Sequence, residues 1–162
     1  MDRILEQFSE TSLQWGLVAV LLIAFVYGVR AWAGFRQVAQ DARTEYDYKM
    51  DAGMISKSVT RDQYMRAYRK SHAPRAPAYV AVTLSVIALL TLPALGVFYW
   101  VTFVLWEMNG KDKVFAPGLI VHSLLMFFLI IFFWALIAYL AARHYHGNTP
   151  LSVEKALKKE DG

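Results

Sequence analysis

Apolar and polar positions are segregated along this chain. Thr11–Val29, Ala76–Trp106 and Val114–Ala142 carry no Asp, Glu, Lys or Arg, over 19, 31 and 29 residues. Crossing a hydrocarbon core of ~30 Å takes roughly 20 residues of α-helix. A charge at mid-bilayer costs about 2.5–3.5 kcal/mol on insertion scales. Three such runs therefore predict three transmembrane helices, at 11–33, 76–106 and 115–142. The second run is ~46 Å long as a continuous helix, at 1.5 Å per residue, so it must tilt, protrude or bend, and Pro93 is the expected bend. Pro117 is the expected first-turn residue of the third span.

Between the first two spans the pattern turns helical and amphipathic. The first helix is expected to continue into polar sequence and stop at Gly53, a C′ glycine. Thr60-Arg61-Asp62-Gln63 fits a capping box, opening a second helix that runs to about His72. Tyr64, Ala67 and Tyr68 share one side of it, bordered by Met65. Residues 34–75 thus read as a basic helix–turn–helix. Residues 1–10 read as a short tail or surface helix with Ile4, Leu5 and Phe8 on one face, and 107–114 as a short loop. Residues 143–162 read as a charged tail, in which Thr149-Pro150 opens a short helix.

Charge distribution orients the spans. Of the chain's 17 Lys/Arg, ten lie between Arg30 and Arg75, while the N-terminal tail and the 107–113 loop hold one and two. Arg143, Lys155, Lys158 and Lys159 follow the third span. The positive-inside rule puts the 34–75 segment and the C-terminus in the cytoplasm and the N-terminus outside. The expected fold is all-α: an integral protein of the bacterial inner membrane with three spans and a cytoplasmic helical hairpin. The acidic Asp2, Glu6 and Glu10 do not make the basic n-region of a signal peptide.

Composition adds little to this. The chain is 57% hydrophobic, 15% aromatic and 19% charged, with a formal net charge of +4 and no cysteine. The positive charge sits beside spans and reads as topology and contact with anionic phospholipids, not nucleic acid. Arg61, Arg66, Arg69 and Lys70 are the residues expected to meet a partner surface or anionic lipid. The absence of cysteine excludes thiolate metal sites and cysteine nucleophiles.

Candidate chemistry is sparse. His122 is the one histidine inside a span, and an intramembrane ionisable group is a functional candidate by default. It can hydrogen-bond a neighbouring helix, or contact a quinone or haem shared with another subunit. His144, 22 residues further along the same helix, is ~33 Å away, so this chain alone does not supply two histidines to one haem. His144-Tyr145-His146 places its histidines on different helix faces, a poor metal pair. A calcium loop centred on Gly53 would need oxygen ligands at Tyr48, Met50, Ala52 and Val59, and none fits. Ala24-x-x-x-Gly28 and Ala138-x-x-x-Ala142 are small-residue pairs suited to helix packing.

With no charge inside any span and no internal repeat, a self-sufficient pump or carrier is disfavoured. The sequence reads as a non-catalytic accessory, scaffold or assembly subunit of a larger inner-membrane complex, an electron-transfer complex among the candidates. Its partners would be larger integral membrane subunits and anionic lipid. Bound lipid is expected, with no cofactor held by this chain alone. Two other classes remain open. One is a holin-like permeabilising protein, a type that shares three spans with this orientation but has no long structured loop. The other is a haem- or quinone-binding anchor using His122.

Overall fold

A computed structural model describes residues 2–56 and 58–160, with side chains for 14–56 and 58–157. The amphipathic face expected on residues 1–10 lies outside the described side chains. Among the described residues all regular structure is helical: α1 (Asp2–Asp51), α2 (Arg61–His72), α3 (Arg75–Met108), α4 (Ile120–Gly147) and α5 (Val153–Glu160). Three helices among the described residues are long and apolar enough to cross a membrane: Gln14–Asp51 of α1, α3 and α4.

The helix boundaries follow from local chemistry. α1 ends at a Schellman motif: Gly53 takes φ +67°, Met54 N–H donates to Lys49 O at 2.9 Å, and Gly53 N–H to Met50 O at 3.1 Å. Glycine enters this left-handed region without the steric penalty of a Cβ. The capping box opens α2: Gln63 N–H donates to Thr60 Oγ1 at 3.3 Å, and Thr60 N–H to Gln63 Oε1 at 2.9 Å. α3 is continuous through Pro93. It closes on a second Schellman motif, with Gly110 at φ +75° and Lys111 N–H donating to Trp106 O at 3.1 Å.

The third apolar helix starts later than expected. Ala116-Pro117-Gly118-Leu119 forms a tight turn, with Gly118 at φ +87° and Leu119 N–H on Ala116 O at 3.1 Å. Proline followed by a positive-φ glycine is the signature of a type II turn. Pro117 is therefore spent on the turn, and α4 begins at Ile120.

Chain contacts define two compact units: Met1–Ala24 with Val82–Arg143, and Phe25–Ala81 with His144–Gly162. In the first, α3 and α4 meet along stripes at helical spacing. Ala88, Thr91 and Thr102 are buried on α3, and His122 and Ile130 on α4. Phe98 meets Phe133 edge-on at 6.0 Å.

In the second unit, α2 lies against the latter half of α1. Ala42, Tyr64 and Tyr68 form the core, ringed by Val38, Tyr46, Ile55, Val59 and Met65. Tyr64, Ala67 and Tyr68 are the buried residues of α2, as its periodicity predicts. α5 completes this core with Val153 and Leu157, and Ala156 is buried beside them. The stretch read as a charged tail thus has an apolar side at i, i+3 and i+4 that docks. Close approach matters at Gly34, where a Cβ would lie 2.9 Å from Pro74 Cβ. Arg75 covers the end of α4 by donating to Tyr145 O at 3.1 Å, with its guanidinium over the Tyr79 and Tyr145 rings.

Candidate functional site

A charge-free helix satisfies its backbone internally, so its few polar side chains carry what chemistry it has. On α3 and α4 four of these pair across the seam. Trp134 Nε1–H donates to Thr91 Oγ1 at 3.0 Å. Thr102 Oγ1 lies 3.0 Å from His122 Nε2. Thr91 is fully buried and His122 is 6% exposed.

Counting hydrogens sets the direction of the second bond. The Thr102 hydroxyl has one proton, and it faces Phe98 O at 2.8 Å and Tyr99 O at 3.0 Å. With that proton shared between carbonyls of its own helix, Thr102 Oγ1 accepts, and His122 Nε2–H donates. Nδ1 is then the ring nitrogen that Thr102 does not engage. Tyr99 packs edge-on against the ring at 5.8 Å, and Met126 Sδ lies 3.8 Å from Thr102 Oγ1.

Thr102 and His122 border a cleft of about 430 Å³ at this end of the α3–α4 pair. Asn109 and Asp112 supply its other polar lining, and Leu105, Trp106, Phe115 and Leu125 the apolar part. The connecting loop is ordered around it. Trp106 Nε1–H donates to Asp112 O at 2.7 Å, and Val114 N–H to Asp112 Oδ1 at 2.7 Å. Lys111 is drawn to Glu107 at 3.4 Å, over the Trp106 ring.

The sequence-derived candidates are placed as follows. His122 is buried and held by α3. Arg61 is paired with Asp47 at 3.0 Å, both side chains half exposed. Arg66, Arg69 and Lys70 are exposed on α2. Of the small residues, Ala24 is buried, Ala138 and Ala142 are exposed, and nothing lies within 4 Å of where a Cβ on Gly28 would sit. Pro93 is exposed. The aromatic clusters divide: Trp100, Phe127, Phe128 and Phe132 point outward, whereas Phe98, Phe133 and Trp134 are used within the chain. Thr91 and Thr102 gave no sequence signal, since threonine is common in spans; their eleven-residue separation, close to three turns, is the trace they leave.

The second unit has its own electrostatic cluster. Glu45 Oε1 accepts from Lys49 Nζ at 2.6 Å and from the Tyr64 hydroxyl at 3.1 Å. The Lys49 hydrogen bond, chiefly, holds the Glu45 carboxyl below its ordinary 4.5 against the opposing effect of burial. The same bond raises Lys49 above 10.5. Burial pushes the Tyr64 and Tyr68 hydroxyls upward from 10.0. Tyr46, Tyr64, Tyr68 and His72 continue as a column of rings, with successive centroids 5.5, 6.1 and 4.1 Å apart.

No protein-family model matches the chain, and no curated protein or solved structure matches it significantly.

Proposed function

We propose that this chain is a non-catalytic accessory subunit, scaffold or assembly factor of a larger complex in a bacterial inner membrane. In this reading the N-terminus is outside, and the α1–α2 segment and the C-terminus are in the cytoplasm. The observation that carries it is how little the apolar helices bury in one another. Only 11%, 11% and 6% of the most apolar 18-residue windows of α1, α3 and α4 are buried. Trp100, Phe127, Phe128 and Phe132 leave wide aromatic surface for neighbouring helices and lipid. Exposed Arg66, Arg69 and Lys70 offer cationic contact to an acidic subunit or the anionic leaflet, which favours specificity and encounter rate. Electron-transfer complexes are the first class to test.

Purification in mild detergent followed by mass spectrometry tests this. Stoichiometric recovery of larger integral subunits is expected. Recovery as a homo-oligomer, with lysis of expressing cells, would instead identify a permeabilising protein.

A further inference from the structure

We propose that the cleft between the ends of α3 and α4 binds a neutral, membrane-dissolved amphiphile with a hydroxylated aromatic ring, of the hydroquinone class, whose hydroxyl donates to His122 Nδ1. This rests on the membrane-spanning part of the reading above and is independent of any partner subunit.

Size comes first. A volume of about 430 Å³ falls within the usual range for small-molecule sites, roughly 300–1,000 Å³. Polarity comes second. Thr102 engages His122 through Nε2, so Nδ1 is the ring nitrogen left to a ligand, and in the Nε2–H tautomer it accepts. The Asn109 amide nitrogen spends one hydrogen on Leu105 O at 2.9 Å, leaving its side-chain oxygen as an acceptor beside one remaining N–H. Asp112 adds a carboxylate. His122 Nδ1, the Asn109 oxygen and the Asp112 carboxylate outweigh the single remaining Asn109 N–H, so the lining favours a ring hydroxyl over a quinone carbonyl. Charge comes third. Among the described residues no Lys or Arg lines the cleft, and Asp112 opposes an anion, so a phospholipid phosphate is disfavoured. Shape comes last: Trp106 and Phe115, with Leu105 and Leu125, present flat and aliphatic surface to a ring and its tail.

The test uses the full-length chain in detergent micelles and isothermal titration. The probes are 2-decyl-1,4-hydroquinone kept reduced with ascorbate, its dimethyl ether, 2-decyl-1,4-benzoquinone and a short-chain phosphatidylglycerol. One saturable site for the hydroquinone is expected, with the ether and the benzoquinone roughly tenfold weaker. Leu125→Trp should fill the cleft and abolish binding, while Phe128→Trp, on an exposed position away from the lining, should not. Equal affinity for hydroquinone and ether, competition by phosphatidylglycerol, or no saturable hydroquinone binding would each overturn the proposal. The wild-type ligand comparison decides even if Leu125→Trp does not fold.

Discussion

Trp134 Nε1 donates to Thr91 Oγ1 eleven residues along α3 (102 − 91) from the Thr102–His122 pair. Eleven residues are ~3.1 turns at 3.6 per turn, so both bonds lie on one stripe of α3. Each joins α3 to α4 where apolar packing has little directional preference. In a medium as apolar as the side chains, such bonds fix register, although their measured worth averages only ~0.6 kcal/mol and reaches ~1.7.

A double-mutant cycle on Thr102→Val and His122→Leu should give a coupling energy in that range, about 0.6–1.7 kcal/mol. Thr102→Val alone should be the more damaging change, because it leaves a buried imidazole N–H without its acceptor. Reversible unfolding in mixed micelles measures both. Strict additivity would mean the bond contributes nothing to stability.

Gly34 lets the Ala73-Pro74 linker lie against α1. Gly34→Ala should drive a methyl into the rigid Pro74 ring and destabilise that unit by about 1–3 kcal/mol. Because glycine is a poor helix former, the same change elsewhere in α1 should stabilise it. The contrast is readable as a fall in melting temperature for Gly34→Ala, and as a smaller fall for the same change made in a Pro74→Gly background, where the clashing Cβ and ring are both gone.

Glu45 and Lys49 set opposite limits on the pH range of the second unit. Glu45's folded pKa is depressed, so its contribution is present above 4.5 and lost as pH falls through the lowered value. Lys49's folded pKa is raised, so its contribution is present below 10.5 and lost as pH rises through the raised value. Both side chains are about one-third exposed, so solvent screening keeps the effect below ~1 kcal/mol. Glu45→Gln should flatten the decline in stability as pH falls below 4.5. Near-UV circular dichroism of the tyrosine column follows it.

α5 closes the Tyr64–Tyr68 core through Val153, Ala156 and Leu157. Leu157→Asp should undock it by placing a carboxylate against an apolar surface. Hydrogen exchange in α2 should then rise at least tenfold for about 1.4 kcal/mol lost, while α3 and α4 remain protected. Unchanged exchange in α2 would show that α5 adds no stability there.

Much of this fold was legible because its strongest determinants are local. Thr60 and Gln63 announce a helix start, Gly53 a stop, and the 3.6-residue spacing of Tyr64, Ala67 and Tyr68 a buried side. Three charge-free runs mark three long helices. What sequence concealed is pairwise. Val153, Ala156 and Leu157 are too few among charges to announce a docking face. Pro117 reads equally as a helix opener or a turn corner, and only Gly118 beside it decides. The partner of His122 could not be chosen among the threonines of the second run, since that depends on how α3 and α4 rotate about their axes. The cleft was hidden for the same reason: its lining comes from the end of α3, a loop and α4.

Cysteine accessibility tests the three membrane crossings most directly, since the chain has no cysteine of its own to interfere. Ser9→Cys, Lys113→Cys, Ser58→Cys and Ser152→Cys can be probed singly with a membrane-impermeant maleimide on intact spheroplasts. Labelling at positions 9 and 113, with 58 and 152 reacting only after lysis, is the predicted result. Labelling of positions 9 and 152 from the same side would contradict three crossings and remove the basis for the proposed docking on membrane partners.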